Sequence, residues 1–175
     1  MNSKSLSING LNSESLWDFE NGYHFFSDTS RFGKLLSQYE LYKKILSVPG
    51  DVIELGVYKG CSAIRLASFR DLLEPSLRRK IYLFDAFGQF PRQNSSLKTD
   101  LMYVDRFEKE GGDGLSVDDI QSIFTFKNLT NIACVKGDIF DTLPSFLCNN
   151  KQIRFSYIHL DLDVYEPTKL CLDLL

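Results

Sequence analysis

Two hydrophobic patterns alternate along the chain from Thr29 onward. Segments in which apolar residues recur every three or four positions predict helices, over residues 29–47, 61–73, 116–126 and 141–147 and from near Pro167 onward. Short apolar segments between them predict strands, over residues 51–55, 81–84, 132–135 and 153–160. Strands that alternate with helices indicate βαβ units, and hence a mostly parallel sheet covered by helices on both faces.

Three segments lie outside this alternation. Residues 1–15 are rich in Ser and Asn, which predicts a poorly ordered start; we take residues 1–28 as an N-terminal segment and residues 29–175 as one domain. The long connection 86–115 is typical of a functional lid or of a loop with hidden structure. Residues 168–175 are strongly apolar and end without a cap or turn signal, so we expect a C-terminal truncation that removes the last strands.

The composition is that of an ordinary soluble globular protein. The formal net charge is −3, which gives no general attraction to nucleic acid or to anionic lipid. The chain has no apolar segment long enough to span a membrane. Its four cysteines form no CxxC pair and three lie in apolar segments, which predicts buried, reduced side chains. We therefore expect a cytoplasmic protein without nucleic-acid or membrane partners; the exposed edge left by a truncation makes a homo-oligomer an option.

Acidic residues stand at or just after the ends of the predicted strands. They are Glu54, Asp85, Asp138 and Asp161. The carboxyl ends of parallel strands meet at one edge of the sheet, where open α/β folds bind their ligands. Acids gathered there suggest a ligand that carries hydroxyls, an amine or a positive charge.

The turn after the first of these strands distinguishes two classes of cofactor. A dinucleotide site requires G-x-G-x-x-G, so that backbone amides hold a pyrophosphate. Here the pattern is Glu54-x-Gly56-x-x-x-Gly60, with two glycines. S-adenosylmethionine has no phosphate and needs a close backbone approach and an acid near its positive end, which this turn offers. A nicotinamide-dependent oxidoreductase is the alternative enzyme class, and a tight strand–helix turn would also explain the glycines.

The other residues assigned to the cofactor follow from this placement. Asp85 is positioned to accept hydrogen bonds from the ribose hydroxyls, and Asp138 to accept one from the adenine amino group while amides around Ile139 meet a ring nitrogen. Asp138 could equally stabilise a turn after glycine. Tyr58 could stack on the adenine or lie against the sulfonium; the alternative is that its ring only packs against other side chains. Ser62, at the start of the following helix, completes the predicted cofactor-binding set.

Several stretches of the chain resemble the macrocin O-methyltransferase family. They occur in the family's order and cover residues 49–168: PGDVIELGVYKGCSA, DAFGQFP, GLSVDDIQSIF, VKGDIFDTLP and IHLDLDVYEPT. One departure is Asp138, where the family commonly has a bulky aromatic residue. The resemblance implies a Rossmann-like class I methyltransferase fold, three-layered and α/β. It also implies transfer of the methyl group of S-adenosylmethionine to a hydroxyl of a small-molecule acceptor, a sugar or glycosylated metabolite.

The resemblance further implies a magnesium ion, Mg²⁺, held by an acidic residue of the DxDxYxxT motif and by an Asp-Asp pair that lies beyond residue 175. Asp161 matches that acidic residue, which makes it the predicted catalytic residue and metal ligand. Without that pair, we expect this chain to be inactive and Asp161 to be held by backbone amides or a hydroxyl. Asp163 could be a second ligand or a helix cap, and His159 a ligand, a base or a core histidine. A truncated, non-catalytic relic that keeps a cofactor pocket is the remaining alternative.

Overall fold

A computed structural model describes residues 5–74, 79–94 and 97–175. The strands are β1 (Ser7–Ile8), β2 (Leu11–Asn12), β3 (Asp51–Leu55), β4 (Ile81–Asp85), β5 (Ile132–Lys136) and β6 (Phe155–Leu160). The α-helices are α1 (Leu16–Phe26), α2 (Thr29–Lys43), α3 (Cys61–Leu73), α4 (Lys98–Gly111), α5 (Val117–Phe126), α6 (Ile139–Asn149) and α7 (Tyr165–Leu174). A short 3₁₀ helix covers Ser13–Ser15.

The central sheet has the strand order β5-β4-β3-β6, and its strands are parallel. The chain winds from β3 outward through β4 to β5 and then returns to place β6 on the other side of β3. This reversal creates the crevice at which open α/β sheets bind ligands. The α/β class and the Rossmann-like parallel sheet predicted from the sequence are confirmed.

The sheet is buried on both faces, which explains why its strands are short continuous apolar segments. On one face of the sheet, side chains such as Val52 and Leu83 pack against α2, α3 and α5. On the other face, side chains such as Ile53 and Phe84 pack against α6 and α7. The result is a three-layer arrangement in which the loops after the strands gather at one edge.

The connection between β4 and α5 contains α4, so the prediction of hidden structure in residues 86–115 is correct. The signal for this helix is present in the sequence: Leu97, Leu101, Val104 and Phe107 are spaced by three or four positions. The next helix, α5, begins as its sequence predicts. The Ser116 hydroxyl caps it by accepting a hydrogen bond from the amide of Asp119 at 3.1 Å.

The N-terminal region differs from its prediction. Residues 1–4 lie outside the described part of the chain, but β1 and β2 form an antiparallel hairpin and α1 follows. Residues 5–15 thus contain regular secondary structure, where the sequence predicts poor order. Helix α1 escaped prediction because its apolar residues are not confined to one stripe: Trp17 is 73% exposed and Phe26 is 86% exposed.

The last strand and helix leave apolar side chains in contact with solvent. In the described residues β6 pairs with β3 alone, Ile158 is 44% exposed and Leu172 is 69% exposed. Cys61 and Cys148 are exposed as well, which corrects the prediction that the cysteines are mostly buried. None of the helices in the described ranges has the length and apolarity that a membrane span requires. Self-association and cytoplasmic location stay predictions.

Candidate functional site

A cavity opens at the carboxyl edge of the sheet, between the strand ends and α4. Its volume, including the solvent at its mouth, is about 930 Å³. The strand side contributes Gly56, Asp85, Gly137, Asp138, Ile139, Phe140, Asp161, Leu162 and Asp163. The other side contributes Phe90, Pro91 and Asn94 from the connection and Tyr103, Val104, Phe107 and Glu108 from α4.

The structure brings together most of the residues that the sequence assigns to the site. Six of them line the cavity: Gly56, Tyr58, Asp85, Asp138, Ile139 and Asp161. The other three do not line it: Glu54 lies in β3, Gly60 in the turn after it and Ser62 in the first turn of α3. The residues of the α4 side, Tyr103 and Phe107 above all, were not predicted, because no element was assigned to that segment.

Asp85 is held by the backbone of two loops. Its Oδ2 accepts hydrogen bonds from the amides of Val57 and Tyr58, at 2.7 and 3.0 Å, and its Oδ1 accepts one from Phe87 at 2.7 Å. Tyr58 and Phe87 have positive φ angles of 53° and 51°, which bulky residues rarely adopt. Because each carboxylate oxygen accepts about two hydrogen bonds, Oδ1 retains capacity for one more donor.

The two glycines of the turn have packing reasons for their presence. A Cβ on Gly56 would overlap the carbonyl oxygen of Asp161, and a Cβ on Gly60 would lie 2.6 Å from Cδ1 of Ile120. Both residues have positive φ, 92° and 76°, and Gly60 precedes α3 in a left-handed conformation. The glycine pattern is therefore required by the turn and by the approach of β6, whatever ligand the cavity takes.

Glu54 is a buried acid with one oxygen unsatisfied. Its side chain is fully buried, Oε1 accepts a hydrogen bond from the Ser62 hydroxyl, and Oε2 has no partner in the described part of the chain. Burial raises the pKa of Glu54 to about 7; Ser62 and His159 oppose this rise, and Asp161 and Asp85 add to it. Glu54 therefore titrates near neutral pH from a position behind the cavity.

Asp138 caps α6. Its Oδ1 accepts a hydrogen bond from the amide of Phe140 at 3.0 Å, and its Oδ2 accepts one from the side-chain amide of Asn94 at 2.9 Å. The helix-capping alternative is thus realised, although Asp138 also faces the cavity. Ile139 is the first residue of α6, so its amide has no acceptor within the helix and is available to a ligand.

Asp161 is paired with basic side chains. Its Oδ2 accepts a hydrogen bond from the ammonium group of Lys34 on α2 at 3.2 Å, and Nε2 of His159 lies 3.7 Å away. His159 and Lys34 hold the pKa of Asp161 down to about 2, against the effect of desolvation. The expectation that backbone amides or a hydroxyl hold this carboxylate is wrong, because α2 delivers a cation to it.

The donor set around Asp161 does not fit a magnesium site on its own. Mg²⁺ prefers near-octahedral oxygen coordination. Within residues 5–74, 79–94 and 97–175, no group of three or more His, Cys, Asp or Glu side chains is placed to hold a metal ion.

The helix-cap role considered for Asp163 is not realised, since Val164 is the cap residue of α7. Desolvation and the nearby Asp161 raise the pKa of Asp163.

The connection before α4 and the helix itself are joined by charged groups. Glu108 accepts hydrogen bonds from the amide of Phe90 at 2.7 Å and from the guanidinium of Arg92 at 2.6 Å. Arg92 also pairs with Asp105 at 2.9 Å. The rings of Tyr103 and Phe107 on α4 stack with their centroids 6.2 Å apart. The charged contacts orient this aromatic side of α4 toward the strand ends.

Comparison with known proteins gives one family and a set of solved structures. The sequence profile of the family described as macrocin-O-methyltransferase (TylF) matches residues 35–175. No curated protein sequence matches the chain. The crystal structure of CalS11, described as a calicheamicin methyltransferase, is 27% identical with a TM-score of 0.62; the match covers 91% of this chain and 65% of that one.

Two further structures agree with this match. The apo structure of CalS11, described as a TDP-rhamnose 3'-O-methyltransferase in calicheamicin biosynthesis, is 28% identical with a TM-score of 0.59, over 91% of this chain and 63% of that one. The O-methyltransferase NovP is 21% identical with a TM-score of 0.68, over 81% and 58%, and this likeness shows the fold alone. The chain spans less than two thirds of the length of these structures.

Proposed function

The chain belongs to the macrocin-O-methyltransferase family, and we propose on this premise that its cavity binds S-adenosylmethionine as part of a sugar O-methyltransferase. The acceptor is a hydroxyl of a sugar or of a glycosylated metabolite. The proposal depends chiefly on one observation: an acid at the end of β4, a helix start after β5 and an acid after β6 converge on the same cavity.

The donor set of the cavity fits the proposed cofactor. Asp85 Oδ1 has capacity for one hydroxyl donor, and the first amide of α6, at Ile139, is available to a ring nitrogen. Phe140 and Leu162 supply apolar walls for a purine and a thioether chain. The ribose contact through Asp85 involves one carboxylate oxygen, since the other already accepts two backbone hydrogen bonds.

The chain's contribution to the reaction is alignment. S-adenosylmethionine supplies a methyl group on a sulfonium, and displacement requires the acceptor oxygen to lie in line with it. The acceptor is proposed to enter between Asp161 and the aromatic side of α4. Asp161 is anionic at neutral pH because its pKa is about 2, so it can accept the hydrogen bond of an acceptor hydroxyl and orient the oxygen.

Magnesium at Asp161 stays a prediction from the family resemblance. Because the described donor set does not fit the ion, no step is derived through it. We also propose that residues 29–175 form the cofactor-binding domain, with residues 1–28 as a separate N-terminal segment.

Calorimetry with S-adenosylhomocysteine and with NAD tests the cofactor. We expect S-adenosylhomocysteine to bind and NAD not to bind. Asp85→Asn, which keeps one acceptor oxygen, should weaken binding by about 1–3 kcal/mol, since a ribose hydroxyl loses its carboxylate partner. Asp173→Ala, an exposed acid on α7, is the matched control. Equal affinity in wild type and Asp85→Asn, with both folded by circular dichroism, would remove Asp85 from the site.

A further inference from the structure

Helix α4 forms one wall of the cavity, and its C-terminal end is fastened to the turn after β3. The carbonyl oxygen of Gly111 accepts two hydrogen bonds, from the Tyr58 hydroxyl at 2.6 Å and from the Lys59 ammonium at 2.6 Å. The last carbonyls of a helix lack partners within the helix, and a cation there also interacts favourably with the helix dipole. These contacts join the predicted cofactor turn to α4.

The fit between the Tyr58 hydroxyl and Gly111 leaves no room for a side chain. A Cβ on residue 111 would lie 2.6 Å from Oη of Tyr58, but 3.6 Å from Cζ, which is ordinary van der Waals contact. The clash thus depends on the hydroxyl oxygen and not on the ring. The Tyr58 ring itself packs on Phe107 of α4 with centroids 5.0 Å apart, and Lys59 Nζ lies 5.0 Å from the Tyr58 centroid.

The backbone of Tyr58 is fixed by contacts with two other segments of the chain. Its amide donates to Asp85, its carbonyl accepts from the amide of Leu115 at 3.0 Å, and its φ is positive. A left-handed conformation of a bulky residue costs free energy and persists where the surroundings determine it. Here the conformation directs the phenol away from the strand ends and toward the end of α4.

Helix α4 has further attachments among the described residues, including the contacts of Asp105 and Glu108 with Arg92 and of Glu108 with the amide of Phe90. Asp100, in its first turn, accepts a hydrogen bond from the amide of Tyr165 at 2.9 Å. The last residue of α4, Gly111, is fastened by Tyr58 and Lys59. Phe107 lies one turn before Gly111, lines the cavity and packs on the Tyr58 ring.

We propose that Tyr58 is a positioning residue: through the carbonyl of Gly111, and with Lys59 as second donor, it holds the aromatic side of α4 against the cavity. This role differs from the stacking on adenine considered from the sequence. The inference extends the proposed function, because a wall held in this way limits exchange of the bound methyl donor and shapes the acceptor side. The attachment itself can be tested without any ligand.

Four proteins test the attachment: wild type, Tyr58→Phe, Gly111→Ala and the double variant. Hydrogen exchange of residues 105–111 should become ~5-fold faster in Tyr58→Phe, the effect of one lost hydrogen bond. Gly111→Ala should have a larger effect in the wild-type background. In the Tyr58→Phe background the added methyl group should have little further effect, because the clashing oxygen is gone. Exchange in α6 should be unchanged throughout, and Tyr39→Phe, whose ring packs on Phe69 of α3, is the matched control.

Unchanged hydrogen exchange in Tyr58→Phe, or an equal effect of Gly111→Ala in both backgrounds, would overturn the proposal.

The release rate of S-adenosylhomocysteine, measured by stopped flow, tests the effect of this wall on the ligand. Tyr58→Phe should release the ligand ~5-fold faster than wild type. Faster exchange at α4 with an unchanged release rate would overturn the claim that this wall limits ligand exchange. If wild type fails to bind S-adenosylhomocysteine at all, the proposed function fails, and the exchange data still decide whether Tyr58 holds α4.

Discussion

The two walls of the cavity are built by different means. The strand side is made of backbone: Asp85 binds three amides, Gly56 lets β6 approach β3, and acids follow fixed strand ends. The α4 side is made of side chains, with Arg92, Glu108 and Tyr58 joining the helix to its surroundings. We therefore expect substitutions that crowd the backbone contacts of the strand side to destabilise the chain more than substitutions at the side-chain contacts of the α4 side.

Gly56→Ala should have the largest effect, because it adds a methyl group where the backbones of β3 and β6 meet. The new Cβ overlaps Asp161 O, and φ at this position is 92°. We expect a loss of more than ~4 kcal/mol in the free energy of unfolding, measured by urea denaturation. Gly112→Ala, beside α4, is the matched control: its φ is 72° and nothing lies within 4 Å of its Cβ. It should cost about 1–3 kcal/mol, because its ψ of −179° places it in a region that residues other than glycine rarely adopt. Similar losses would contradict the difference between the walls.

The buried acid behind the strand wall predicts a pH dependence. The pKa of Glu54 is about 7 in the folded chain and 4.5 as its ordinary value. Between these pH values the folded chain keeps a proton that the unfolded chain has lost. The Glu54 contribution to stability is therefore fully present below pH about 4.5 and falls as pH rises to about 7, by about 3 kcal/mol.

Urea denaturation at several pH values, for wild type and Glu54→Gln, isolates this contribution. Gln retains an acceptor for the Ser62 hydroxyl and does not titrate. The difference in stability between the two proteins should change across the window from pH 4.5 to pH 7 and be constant above it. A difference that stays constant from pH 4 to 8 would mean that Glu54 is ionised with an ordinary pKa. The strand wall would then carry a buried charge.

The smallest effect is expected from the ion pairs of the α4 side. Arg92 is 41% exposed and pairs with Asp105 and Glu108, so Arg92→Met should cost ~0.5–1 kcal/mol at low ionic strength and less in salt. Arg106→Met, which removes a more exposed pair with Glu110 on the same helix, is the control and should cost less. A loss from Arg92→Met that does not change with salt would show that packing, and not charge, fastens this wall.

The same contrast explains what could be predicted from the sequence. The bounds of β3 and α3 were predicted to the residue, because Pro49-Gly50 and the glycine turn bracket a short strand. Asp85 and Asp161 were predicted to converge because strand ends of a parallel sheet share an edge. These features depend on local pattern and on general topology, which a single sequence carries.

Several contacts around the cavity depend on residues far apart in the chain. Tyr58 and Gly111 are joined by a hydrogen bond across 53 positions, and Lys34 and Asp161 across 127. No spacing rule relates such pairs. Helix α4 could have been predicted from its apolar spacing, but its attachment to the turn after β3 could not. For Asp138, the sequence left two roles open, and the cap contact with Phe140 shows one of them.

The strand order has a consequence for synthesis of the chain. Strand β3 lies inside the sheet, yet one of its neighbours, β6, follows it by more than 100 residues, with Asp51 paired to Phe155. A ribosome therefore releases β3, β4 and β5 while one edge of β3 is still bare, and the apolar side chains beneath α7 have no cover. Pairing over such a distance closes a large loop and slows folding. A nascent chain of this topology therefore forms the β3–β6 pair late. Until that pair forms, chaperones are expected to bind its uncovered apolar side chains.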